Sequence, residues 1–154
     1  MRKNKKRNHQ KHPVPNHKYK DRLFRLVFNN KRDLLDLYNA LNNTCYENPN
    51  NLEVNTLEDA VYLSMKNDIS FLIGGTLNLY EHQSTYNPNM PLRGLIYLAR
   101  LYDGYVETEN INLYSSTLKK LPIPQYFVFY NGTKEQPDET ILRLTDALDR
   151  KSTR

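Results

Sequence analysis

Between Asp68 and Gln83 the chain reads Asp-Ile-Ser-Phe-Leu-Ile-Gly-Gly-Thr-Leu-Asn-Leu-Tyr-Glu-His-Gln, two apolar, β-prone runs flanking Gly74-Gly75. Both central residues of a two-residue hairpin turn of this kind need φ > 0, which glycine adopts freely, so the stretch is expected to be a tight β-hairpin. If the two glycines are the whole loop, Ile73 faces Thr76, and the register carried outward sets Asp68 opposite Glu81. Directly opposed side chains have Cβ atoms about 4.5–5.5 Å apart, and like charges there repel. A bound divalent cation is the obvious relief for such a pair. Gln83 projects from the same face as Glu81, whereas His82 between them projects from the other. His82 therefore reads as packing or a sheet-surface hydrogen bond rather than as a general base.

The hairpin also dictates what surrounds it. Ile69, Phe71 and Ile73 make one face apolar, and Leu72, Leu77 and Leu79 do the same for the other. Strands buried on both faces need helices on both sides. Helical spacing is present before the hairpin, first from Tyr19 through Leu23, Phe24, Val27 and Phe28, then, after a break at Asn29-Asn30, through Leu34, Leu35, Leu37, Tyr38 and Leu41. Alternation over Leu52–Leu57 predicts a half-exposed strand, and Ala60–Met65 extended chain leading into the hairpin. After it come a helix over Pro91–Val106 and the β-prone run Gln125–Tyr130, closed by Asn131-Gly132. A right-handed crossover through that helix lays the last run parallel to a hairpin strand. Short strands are also expected within Ile111–Leu121 and over Thr140–Leu144. The fold class is thus α/β, a mixed β-sheet flanked by helices.

Charge is unevenly placed. Arg2, Lys3, Lys5, Lys6, Arg7, Lys11, Lys18 and Lys20 crowd the first 20 residues, which hold no acid, so the pI near 9.2 belongs to this tail and the remainder is net acidic. Residues 1–18 are expected to be a disordered basic tail, either a tether to nucleic acid through phosphate contacts or a solubilising extension. Residues 19–148 form the domain, and 149–154 a polar trail. His9, His12 and His17 match no common metal-ligand spacing. Cys45 is the lone cysteine, so neither a disulfide framework nor a CxxC zinc site is available. No apolar run is long enough for a membrane span, and the basic N-terminus lacks the apolar core of a signal peptide. A reduced, cytoplasmic protein without membrane association is expected. Walker A, Gly-x-Ser-x-Gly and His-Glu-x-x-His patterns are all absent from the sequence.

The chemistry that remains is an oxygen-rich site. Asp68 and Glu81 from neighbouring strands suit Mg²⁺, a hard cation that takes oxygen ligands and keeps several waters. Such a metal polarises a phosphoryl oxygen and acidifies a bound water. On the following helix Arg93, Tyr97, Arg100 and Gly104 share one face, which is either a solvated stripe or, at Arg93 and Arg100, a bidentate phosphate clamp. Asp21, in the first turn of its helix, either complements the helix dipole or adds a further acid.

The segment Asn67-Asp68, then Tyr80-Glu81-His82-Gln83-Ser84, then Met90-Pro91-Leu92-Arg93 resembles the bacterial recombination-promoting nuclease and transposase family of the PD-(D/E)xK superfamily. Tyr19-Lys20-Asp21-Arg22-Leu23-Phe24-Arg25 and Pro124–Gly132 resemble its members as well, so the likeness runs from Tyr19 to Leu148. It implies a restriction-endonuclease-like core (αβββαβ) and Mg²⁺-dependent endonucleolytic cleavage of DNA. Asp68 and Glu81 would ligate the metal, and Asp21 would match an acid on the first core helix. Gln83 stands where the wider superfamily more often has Lys, as is common in the family itself. Its amide can orient water but brings no positive charge. Relatives of this kind continue into a helical C-terminal region. The end at Arg154 therefore reads as a truncated copy, with an inactive remnant or DNA-binding module of the same fold as the alternative.

Overall fold

The computed structural model describes Phe28 and residues 30–54 and 68–148. The helix expected from Tyr19, the basic tail, the segment Ala60–Met65 and the final trail lie outside the described residues. Within them the chain is α/β, with two helices and a four-stranded mixed sheet in the order α1 (Lys31–Asn42), β1 (Glu53–Val54), β2 (Ile69–Ile73), β3 (Thr76–Gln83), α2 (Met90–Thr108) and β4 (Ile123–Tyr130). This arrangement is consistent with the restriction-endonuclease-like core. The sheet order is β1-β2-β3-β4, antiparallel except for β4, which runs parallel to β3.

The hairpin forms as its glycines require. Gly74 and Gly75 have φ of 57° and 80°, and Ile73 pairs with Thr76, Phe71 with Asn78 and Ile69 with Tyr80. The two faces then separate as the alternation predicts. Ile69, Phe71, Ile73 and Tyr80 pack with Leu34, Leu35 and Tyr38 of α1 and with Leu52. Tyr80 is the hub of that layer, its ring 5.1 Å from Phe71, 5.5 Å from Phe127 and 5.6 Å from Phe129, all edge-on. Edge-to-face pairs add to what area burial alone contributes. On the opposite face Leu77 and Leu79 pack with Tyr97 and Leu101 of α2.

Local chemistry sets the helix ends. The Asn30 side chain accepts from the Arg32 N–H at 2.9 Å, capping α1, and Asn43 ends it in the left-handed region at φ 52°. Pro91 occupies the first turn of α2, where its missing N–H costs nothing. The Tyr102 hydroxyl donates to the Pro122 carbonyl at 2.6 Å, anchoring α2 beside the start of β4.

Two expectations need correction. Residues 111–121 form turns and irregular chain rather than a strand, with Tyr114 fully open to solvent. Residues 140–143 are irregular and lead into a 3₁₀ turn over Leu144–Ala147. Both segments contain β-prone residues, but neither joins the four-stranded sheet. On α2, where two readings of the stripe were open, Tyr97 is buried and Arg93 partly so, and the solvated reading does not hold for them. Met90, Gly94, Tyr97 and Leu101 are the buried positions, and among its large apolar residues Leu92 and Leu95 are exposed.

Gly94 explains this orientation. A Cβ added there would overlap the Tyr126 ring, so the α2 backbone lies directly on that ring of β4. Alanine is the better helix former by about 1 kcal/mol, so Gly94→Ala would stabilise a free helix. Here overpacking, costing about 1–3 kcal/mol, outweighs that gain. The variant is expected to unfold at lower denaturant concentration with an unchanged slope.

Candidate active site

Beyond the last hairpin pair, Ile69 with Tyr80, the strands continue into Asp68 and Glu81. Here carboxylates replace strand carbonyls as acceptors. The Asp68 N–H donates to Glu81 Oε1 at 3.0 Å, and the His82 N–H donates to Asp68 Oδ2 at 2.7 Å. Each acid thus accepts a backbone N–H from the opposite strand, and the expected juxtaposition of Asp68 and Glu81 is present. Glu81 is only 2% exposed, while Asp68 is half-buried and is the member that solvent reaches.

A buried carboxylate needs compensation. Arg93, one turn into α2, supplies it, with Nη2 at 3.2 Å from Glu81 Oε2 and 3.0 Å from the Tyr97 hydroxyl. Its guanidinium lies 5.7 Å from the Tyr97 ring centre. Burial opposes the charge on Arg93, but the Tyr97 hydrogen bond and the Glu81 charge outweigh it and raise its pKa. Arg93 is therefore a fixed cation beside the two acids.

Tyr126 is the site residue that sequence reasoning passed over. In the parallel register Leu79 is level with Tyr126, Glu81 with Val128 and Gln83 with Tyr130, so all six lie on the α2 face. Burial pushes the Tyr126 hydroxyl far above the ordinary tyrosine value, and the Glu81 charge adds to the effect while Arg93 opposes it. The phenol stays neutral, and its buried oxygen has no hydrogen-bond partner among the described residues. The available signal was the pairing of β4 with β3, but no turn fixes the register of a parallel strand as a hairpin does.

The other expected residues divide. Gln83 ends β3 on the carboxylate face, and its buried Oε1 has no hydrogen-bond partner among the described residues. His82 turns to the other face, level with Phe129. Arg100 lies two helical turns from Arg93, about 10 Å along the axis, and lines a separate groove of about 280 Å³ with Glu53 and Leu72. It is not brought to the acids. Asp21 lies outside the described residues. Among those described, no three His, Cys, Asp or Glu side chains gather into a metal-binding group.

The donor set nonetheless fits Mg²⁺ in kind. Asp68 and Glu81 offer hard carboxylate oxygens on one face, and Mg²⁺ commonly takes one or two protein carboxylates with water completing its shell. Without the ion, Arg93 carries the positive charge that the pair requires. Comparison with protein-family profiles, curated proteins and solved structures returns no match for this chain.

If Arg93 balances Glu81, Arg93→Ala is expected to destabilise the fold by about 1–3 kcal/mol, the lower part of the range reflecting its partial exposure. In a Glu81→Gln background the same truncation should cost less, because no buried charge is left unpaired. A double-mutant cycle on denaturation midpoints measures the difference.

Proposed function

We propose that the protein is a Mg²⁺-dependent DNA endonuclease of the PD-(D/E)xK type, acting in the cytoplasm in recombination or in the movement of mobile elements. The observation that carries this reading is the placement of Asp68, Glu81 and Gln83 on one face at the ends of adjacent strands, with Arg93 against Glu81. The family likeness in the sequence points the same way.

In this reading Asp68 and Glu81 hold the cation, with Asp68 on the accessible side. The chemistry a divalent cation supplies there is polarisation of a phosphoryl oxygen and acidification of a coordinated water. Arg93 carries a planar fork of N–H donors that matches two phosphate oxygens. Were Glu81 to ligate a cation, the Arg93 fork now held by Glu81 would be available to the substrate. The Gln83 amide N–H groups orient the attacking water or hold a phosphate oxygen, a role that needs no charge. Tyr97 keeps Arg93 aimed at the acids through its hydroxyl.

A second reading is favoured by one feature. Both Glu81 oxygens already have partners, Oε1 the Asp68 N–H and Oε2 Arg93, so the site is electrostatically balanced as it stands. That suits a DNA-binding module which keeps the fold without cutting.

Supercoiled plasmid with Mg²⁺ separates the two. An endonuclease nicks or linearises it, and Asp68→Asn and Glu81→Gln each lower the rate at least about a hundredfold while remaining folded. Mg²⁺ should also raise the melting temperature of the wild type but not of Asp68→Asn, since a ligand of the folded state stabilises by mass action. DNA binding with neither cleavage nor a Mg²⁺-induced shift establishes the second reading instead.

A further inference from the structure

Among the described residues β4 is the last strand of the sheet, with β3 on one side and no strand on the other. The ladder to β3 shows which groups point to that outer edge. The Ile123 N–H donates to the Gly75 carbonyl at 3.0 Å and the Asn131 N–H to the Gln83 carbonyl at 3.1 Å, so the odd-numbered residues bond inward. Backbone groups of alternate residues point to opposite edges of a strand. Pro124, Tyr126, Val128 and Tyr130 therefore turn theirs outward. Proline is tolerated in a strand where its missing N–H would face away from the ladder, and Pro124 sits at such a position. The backbone N–H groups of Tyr126, Val128 and Tyr130 have no hydrogen-bond partner among the described residues.

A row of open strand groups is a template for another strand, and edges are usually protected by charge, proline or a bulge. Pro124 closes one end of this edge. Beyond it β4 carries no charged residue, and its register on β3 runs without a bulge to Tyr130. The sequence names the strand that fits. Tyr126-Phe127-Val128-Phe129-Tyr130 reads the same in both directions about Val128. Set antiparallel to a second copy by a two-fold axis at Val128, Tyr126 faces Tyr130 of that copy, Phe127 faces Phe129, and Val128 faces Val128. Each of the three outward pairs exchanges two N–H···O bonds. Aromatic pairs then meet on both sheet faces and no like charges are opposed.

We propose that the protein pairs with a second copy of itself along the outer edge of β4, antiparallel and centred on Val128. The two sheets become one across an isologous interface, in which the same patch serves both copies. Glu81 is level with Val128, so the two carboxylate sites lie on one face of the joined sheet, three strand spacings or about 14 Å apart. The pairing itself does not depend on the endonuclease reading.

The test is sedimentation equilibrium of the full chain, with a cysteine crosslink to fix the register. A reversible dimer is expected, at twice the 18.2 kDa of one chain. Val128→Pro removes an outward donor and leaves the donors of the β3 ladder in place, so it should weaken association about tenfold or more. Cys45→Ser removes the exposed native thiol. In that background Val128→Cys sets two thiols face to face, with Cα atoms about 5.5 Å apart and within disulfide reach. Oxidation should link it into a dimer. Ile123→Cys lies far out of register with its own copy and should stay unlinked, although Ile123 is 66% exposed. Linking at Val128 alone upholds the edge even where Val128→Pro does not fold. A monomer at every concentration measured, a folded Val128→Pro with wild-type association, or a dimer that links at both positions or at neither overturns the proposal. Plasmid cleavage by a monomer leaves the endonuclease standing and removes the paired edge. A dimer linked at Val128 without Mg²⁺-dependent cleavage does the reverse.

Discussion

A carboxylate buried at the end of a central strand is the constraint from which the rest of this structure follows. Glu81 sits at 2% exposure, on the α2 face of the strand that carries Leu77 and Leu79. Leaving such a charge unpaired would cost several kcal/mol, on the order of half the net stability of a domain this size. Two partners prevent that, the Asp68 N–H across the hairpin and the Arg93 guanidinium from the helix above. The first ties β2 to β3 one step beyond their ladder. The second fixes the N-terminal end of α2 over the sheet.

Once α2 is placed, β4 is placed too. Gly94 lets the helix rest on Tyr126, the Tyr102 hydroxyl holds the carbonyl before β4, and the Ile123 N–H donates to the Gly75 carbonyl at 3.0 Å, opening the parallel ladder. The α2 face then grades along its length. Leu77, Leu79, Leu98 and Leu101 make the end near the hairpin turn apolar, while Asp68, Glu81, Gln83, Arg93 and Tyr126 make the other end polar. That polar end lies where β3 and β4 finish and α2 begins, and the N-terminal end of a helix carries partial positive charge. Carboxylates, a fixed arginine and a helix start together suit a cation and a phosphate more than an apolar ligand. Among the described residues no helix is long and apolar enough to cross a membrane.

Much of this was legible locally. Two glycines needing positive φ named the turn, the turn named the register, and the register placed Asp68 opposite Glu81 and separated His82 from its neighbours. The orientation of α2 was not legible. Its apolar residues surround the helix, so periodicity offered several faces, and the stripe of Arg93 and Tyr97 could be read as either a solvated face or a functional one. The buried side was decided by Glu81 needing a cation and by Gly94 meeting Tyr126, neither of which is encoded in the helix itself. Arg100 shows the same limit. It shares the stripe of Arg93, yet seven residues of axial rise carry it to a different groove.

By itself the sequence determined the hairpin, the division of its residues between two faces, and the α/β class that two apolar faces demand. These depend on period-two alternation and glycine dihedrals, properties of neighbouring residues. Only the tertiary structure decided which side of α2 is buried, how β4 registers on β3, that Tyr126 adjoins the acids, and that Arg93 rather than Arg100 reaches them. Those depend on contacts between segments far apart in the chain, where a single buried charge and a missing Cβ outweigh any local preference.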